Sequence, residues 1–260
     1  MSKFKIAFFE LEPWEVEYLK NNLTGFDMQF ISENLAEQNS SEIKSAQAIG
    51  LFIYSIINKR VLERLPNLRL IVTLSTGFDH IDLKECRKRN IVVCNVPHYG
   101  ENTVAEHTFA LILNLTRKIH KAYDRTVRGD FSLDGLRGID LQGKILGVIG
   151  SGSIGLHVIR IANGFEMNVI AYDKFKDIRL EKKLDFSYVS LEKLFKISDI
   201  ITLHLPYNKS THHLINKSVI AKMKKGVYII NTARGGIIDT SALLEGLQTG
   251  KIAGAGLDVL

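Results

Sequence analysis

Short runs of β-branched and other apolar residues alternate with amphipathic stretches along almost the whole chain, and no other feature of the sequence constrains the fold as much. Strands that read as continuous apolar runs are buried on both faces, as in parallel sheets, and parallel neighbours need a crossover, usually a helix, to join them. The class is therefore α/β. In the first part the pattern predicts strands at Lys5 to Phe9, Met28 to Ile31, Ala48 to Tyr54, Leu70 to Leu74 and Ile91 to Cys94. Helices such as Trp14 to Asn21, Lys59 to Arg64 and Asp82 to Arg89 fall between them. A second series starts at Lys144, with strands at Ile145 to Ile149, Asn168 to Tyr172, Ile200 to Leu205, Val227 to Asn231 and Ala253 to Val259, and a short one near Phe186 to Val189. The last strand has no covering helix after it, so its packing layer is expected to be missing.

Between the two series the rhythm changes. Thr103-Val104-Ala105-Glu106 has the form of a capping box, and Val104, Leu111, Leu115, Ile119 and Ala122 recur at helical steps, which predicts one long helix from Thr103 to Val127. Its first half is apolar nearly all round, through Phe109, Ile112 and Leu113. Such a helix needs cover on more than one side, so it is expected to lie between two domains and to face a second subunit. The chain divides accordingly into residues 1–100 and 101–260, with a hinge helix over 101–128.

A chain of 260 residues can bury two cores without disulfides or metals. Apolar residues at 45% and charged residues at 24% are ordinary for a soluble protein, and no apolar run reaches the length of a membrane span. The net charge of +6 is carried in separate groups, Arg87-Lys88-Arg89, Lys182-Lys183 and Lys224-Lys225, without interleaved aromatics. These read as solvated helix faces, not as a nucleic-acid footprint. Cys86 and Cys94 have no metal-ligand spacing and no signal peptide is recognisable, so the expectation is a cytoplasmic, metal-free protein.

Gly150-Ser151-Gly152-Ser153-Ile154-Gly155 follows a predicted strand and opens a predicted helix. In that context Gly150 permits the tight turn, Gly152 lets the backbone approach a pyrophosphate, and Gly155 allows close packing of helix on strand. The helix N-terminus offers unpaired amides to the phosphates. Asp173, ending the next strand, is placed to accept hydrogen bonds from the adenosine ribose, which favours NAD over NADP; Lys174 weakens that preference slightly. An ordinary strand-to-helix turn with Asp173 as a helix cap is the competing account. A methyltransferase using adenosylmethionine shares the glycine loop and the acid, but has no need of a carboxylate-binding arginine at a neighbouring strand end.

Such an arginine is present. In VYIINTARGG, Val227 to Gly236, a buried strand releases Thr232, Ala233 and Arg234 at its carboxyl end, where ligands of open α/β sheets bind. The planar fork of Arg234 suits a carboxylate held through two parallel hydrogen bonds, as a 2-oxo acid presents; pairing with a nearby acid is the alternative. His204 and Asp258 sit at strand ends of the same sheet and would flank a nicotinamide, His204 also reading as a structural histidine. Asp258 could accept a hydrogen bond from the carboxamide. His212 and His213 read as solvent-facing.

Six ordered blocks, STGFDHIDL (75–83), NVPHYGENTVAEHT (95–108), GVIGSGSIG (147–155), LHLPYNKSTHHLIN (203–216), NTARGGIID (231–239) and AGAGLDV (253–259), resemble the D-isomer-specific 2-hydroxyacid dehydrogenase family over essentially the whole chain. The resemblance implies a flavodoxin-like substrate-binding domain, a doubly wound Rossmann NAD domain and a homodimer. It implies hydride transfer between nicotinamide C4 and C2 of a small 2-oxo or 2-hydroxy acid, with Arg234 as the catalytic carboxylate-binding residue. Ser75, Thr76, Gly77, Phe78 and Tyr99 would line the substrate pocket. Gly150, Gly152, Ser153, Ile154, Gly155, Asp173, His204, Leu205, Pro206, Thr211, Thr232, Ala233, Arg234 and Asp258 would hold the coenzyme. The family's proton-donating histidine and its glutamate partner fall after Leu260. The expectation is thus a fragment with little or no turnover, or, alternatively, a non-catalytic NAD-sensing protein of the corepressor type. Leu74 departs from close relatives, which often carry arginine there.

Overall fold

The computed structural model describes residues 3–260, and the chain divides into two compact units, Met1–Tyr99 and Gly100–Leu260. In the first unit the elements run β1 (Lys5–Phe9), α1 (Pro13–Asn22), β2 (Asp27–Ile31), β3 (Ala48–Leu51), α2 (Lys59–Glu63), β4 (Leu70–Thr73), α3 (Leu83–Lys88) and β5 (Val92–Cys94). The strands pair in parallel in the order β2-β1-β3-β4-β5, the flavodoxin-like order. Phe9, Ile49, Leu51, Ile57, Leu62 and Ile71 fill the core. Strand β3 stops at Leu51, short of the expected Tyr54, because another acceptor takes over. The Glu10 carboxylate accepts from the Tyr54 amide at 2.9 Å and from the Ser55 hydroxyl, drawing that segment out of the ladder. Asp82 caps α3, accepting from the Glu85 amide at 3.0 Å.

The second unit runs α4 (Glu101–Thr116), α5 (Ile119–Val127), β6 (Ile145–Ile149), α6 (Ser153–Gly164), β7 (Asn168–Tyr172), α7 (Arg179–Leu184), β8 (Ser187–Tyr188), α8 (Leu191–Ile197), β9 (Ile200–Leu203), α9 (Lys217–Lys222), β10 (Val227–Asn231), α10 (Thr240–Gln248) and β11 (Ile252–Leu257). Its six strands are parallel in the order β11-β10-β9-β6-β7-β8, the doubly wound dinucleotide-binding order. The order reverses at the β6/β9 pair, which places the crevice for a ligand beyond the carboxyl ends of those two strands.

Two expectations are corrected here. The helix over 103–127 is not continuous: it breaks between α4 and α5, with Lys118 in the left-handed region at φ 58°. The cause is tertiary. The Thr116 carbonyl accepts from the Ile139 amide at 3.0 Å, and Gly138 lies so close to that carbonyl that a Cβ would overlap it. Its start also moves, since Gly100 is the N-cap and Glu106 accepts from Asn102 in place of closing a box with Thr103. The second correction concerns β11, which is an edge strand but not a bare one. Leu111 and Leu115 of α4 lie on its glycines, and Ile252 packs on Gly246 of α10, so helices of the unit itself cover both faces.

Candidate functional site

The turn after β6 is built as the glycines require. Gly150 adopts φ +98°, and a Cβ there would overlap the carbonyl of His204, so the loops after β6 and β9 touch at this point. A Cβ at Gly155 would overlap the Gly150 carbonyl, whereas at Gly152 it would meet nothing within 4 Å. Gly152 is the N-cap of α6 with φ −71°, and no side chain caps the helix. The exposed start of a twelve-residue helix, with open space where a side chain would stand, is a cradle that a pyrophosphate fits. Ser153 and Ile154 form its first turn.

Asp173, just past β7, spans this turn. Its Oδ2 accepts from the Ser151 amide at 2.7 Å and the Ser151 hydroxyl at 3.0 Å, and its Oδ1 accepts from the Phe175 amide at 2.9 Å. The carboxylate therefore braces the glycine turn itself. Two oxygens offer about four lone-pair sites, so capacity remains for a ribose hydroxyl. Ser151, which the motif leaves unspecified, also lies 2.8 Å from the Tyr188 hydroxyl.

On the β9 side, His204 Nε2 lies 2.9 Å from Thr202 Oγ1, and burial of the ring pulls its pKa down to about 3. It is a neutral, satisfied histidine. Leu205 packs over Gly150. Thr211 braces its own loop, its hydroxyl donating to the Pro206 carbonyl at 2.7 Å and accepting from the Asn208 amide at 2.8 Å. His212 and His213 are exposed as expected, yet they stack on each other, and His212 Nδ1 lies 2.9 Å from the Tyr207 hydroxyl.

The end of β10 is tied from within. Asn231 is buried; its side chain accepts from the Ala233 amide at 3.1 Å and donates to the Arg234 carbonyl at 2.9 Å, which sets the turn carrying the arginine. Arg234 itself is exposed, and its Nη1 donates to the Ala233 carbonyl at 2.8 Å. Thr232 Oγ1 lies 3.0 Å from Thr108 Oγ1 of α4. The Asp258 amide donates to the Asn231 carbonyl at 3.0 Å, and its Oδ1 lies 3.3 Å from His107 Nε2. Glycine turn, Asp173, His204, Leu205, Thr232, Ala233, Arg234 and Asp258 thus all stand at the carboxyl edge of one sheet.

The first unit carries a separate constrained loop beyond β4. Buried Ser75 donates to the Gly77 carbonyl at 2.7 Å and lies 2.7 Å from Thr73 Oγ1, which in turn lies 3.3 Å from His80 Nε2. Thr76 donates to the Val96 carbonyl at 3.0 Å. Phe78 and Tyr99 are exposed, and Tyr99 closes this unit.

Residues 109–260 match the family model described as D-isomer specific 2-hydroxyacid dehydrogenase, NAD binding domain. The chain is 39% identical over 259 residues to a 2-hydroxyacid dehydrogenase homolog of Haemophilus influenzae and 36% identical over 259 residues to D-lactate dehydrogenase of Escherichia coli. Each alignment covers 98% of this chain and 78% of the relative. Among solved structures, D-lactate dehydrogenase from Aquifex aeolicus, complexed with NAD and lactic acid, is similar at a TM-score of 0.92 and 40% identity, over 98% of this chain and 77% of that one.

Proposed function

The chain belongs to the D-isomer-specific 2-hydroxyacid dehydrogenase family, and from that premise we propose that its residues bind NAD(H) and a small 2-oxo or 2-hydroxy acid for interconversion of the two. One observation carries the reading: the open position at Gly152, at the start of α6 and at the point where the strand order reverses. Bound there, the coenzyme supplies or accepts the hydride. The amides of Ser153, Ile154 and Gly155 receive the pyrophosphate. Asp173 takes a ribose hydroxyl, and its charge disfavours a 2'-phosphate. Leu205, Pro206 and Thr211 shape the wall beside the coenzyme, His204 supports that wall as an uncharged ring, and Thr232, Ala233 and Asp258 border the nicotinamide half.

Arg234 holds the substrate carboxylate through its guanidinium fork, and its positive charge stabilises the alkoxide side of the reaction. Substrate contacts in the first unit fall to Ser75, Thr76, Gly77 and Phe78, on the braced loop, and to Tyr99. Binding of a substrate analogue tests this role of Arg234 directly. Oxamate titrated into the NADH-loaded chain should bind, and Arg234→Gln should weaken it at least tenfold, as expected for about 1.5–3 kcal/mol of charged hydrogen bonding. Oxamate affinity unchanged by the substitution would refute the assignment. A homodimer is proposed on the face of α5, where Ile119, Tyr123 and Val127 form an exposed stripe at four-residue steps; Phe131 and Leu133, after the helix, are exposed as well.

A further inference from the structure

Helix α4 crosses strand β11 in a way that pairs their residues in steps. A Cβ on Gly254 would lie 3.3 Å from the Leu115 side chain, and one on Gly256 would lie 3.0 Å from that of Leu111. Four helical residues advance about 6.0 Å and two strand residues about 6.6 Å, so the next step of the same ladder joins residue 107 to residue 258. There the strand has a carboxylate in place of a glycine and the helix an imidazole in place of a leucine, and His107 Nε2 stands 3.3 Å from Asp258 Oδ1. Both partners are held. Thr108, next to His107, meets Thr232 at 3.0 Å, and the Asp258 amide is bonded to the Asn231 carbonyl. Both side chains are about half exposed, at 48% each, so the pair is not a core contact and its solvent side is open to a ligand.

We infer that His107 is a positioning residue for the nicotinamide half of the coenzyme: it fixes the Asp258 carboxylate so that its second oxygen is presented to the carboxamide amide group. This rests on the coenzyme reading above. A carboxylate on a strand end otherwise samples several rotamers, and each rotamer lost on binding weakens the coenzyme; pairing with an imidazole on a rigid helix removes that cost beforehand. The pyrophosphate at Gly152 and the adenosine ribose at Asp173 are independent of the pair.

Calorimetric titration of the whole chain with NADH and, separately, with ADP-ribose, which lacks the nicotinamide, tests this. His107→Leu should weaken NADH about three- to tenfold and leave ADP-ribose within about twofold of the wild type. His107→Gln, which keeps a donor of similar reach, should restore most of the NADH affinity. Unchanged NADH binding in His107→Leu, or equal weakening of both ligands, would overturn the role of His107, since the latter marks a packing effect. Failure of the wild-type chain to bind ADP-ribose would instead sink the coenzyme reading and the inference with it.

Discussion

Gly152 and Gly155, in the same turn, should respond to the same added methyl group in opposite ways. At Gly155 a Cβ would overlap the Gly150 carbonyl and sit 3.0 Å from its carbon, and both partners are backbone in a buried turn. Alanine gains about 1 kcal/mol of helix propensity there, but crowding fixed backbone costs about 3 kcal/mol, for a net loss of about 2 kcal/mol. In a unit of this size that is a fall in Tm of roughly 4–8 °C. At Gly152 the φ of −71° suits alanine and nothing lies within 4 Å. Reduced freedom of the unfolded chain contributes about 0.4–1 kcal/mol, and the poorer N-cap costs a similar amount, so stability should hold within about 0.5 kcal/mol. The methyl would instead occupy the approach to the amides of α6. Losing even one charge-assisted hydrogen bond to a phosphate is about 1.5–3 kcal/mol, or at least tenfold in affinity. Thermal unfolding by circular dichroism and calorimetry with ADP-ribose read the two effects separately. If Gly152→Ala binds ADP-ribose within about twofold of the wild type while Gly155→Ala unfolds early, the turn is only a turn, and the coenzyme reading fails.

Burial pulls the His204 pKa down to about 3 from an unfolded value near 6.5, so the folded state takes up fewer protons below that pH and loses stability as pH falls. The full shift corresponds to about 2 kcal/mol at pH 5, reduced to about 1 kcal/mol by the residue's partial exposure; His204→Gln should flatten the pH dependence of unfolding between pH 7 and 5, and an unchanged slope would show that the ring protonates freely. For the α5 face, sedimentation should find a dimer for the wild type and a monomer for Tyr123→Lys with unaltered Tm. A wild-type monomer, or a variant that still dimerises, would reject that face as the interface.

Much of the coenzyme half was legible in local sequence. The run Ile145 to Ile149, three glycines at fixed spacing and Asp173 at the end of the next strand are consecutive in the chain, and the chemistry of each comes from conformational freedom or charge at its own position. Periodicity likewise located the strands, because burial on two faces selects apolar side chains at every position. It overran at Tyr54 and ran through the break after Thr116, where the decisive partners, Glu10 and Ile139, are distant in sequence.

What the amino-acid order determined by itself was therefore the class, the strand positions and the glycine turn after β6, since these depend on steric and solvation preferences within short segments. Only the folded chain decided that Thr116 ends a helix, that Asp173 spends part of its carboxylate on Ser151, that Arg234 is exposed, and that His107 meets Asp258. Each is a contact between elements whose mutual register comes from packing, and the spacing of Gly254, Gly256 and Asp258 against Leu115, Leu111 and His107 has meaning only once that helix lies on that strand.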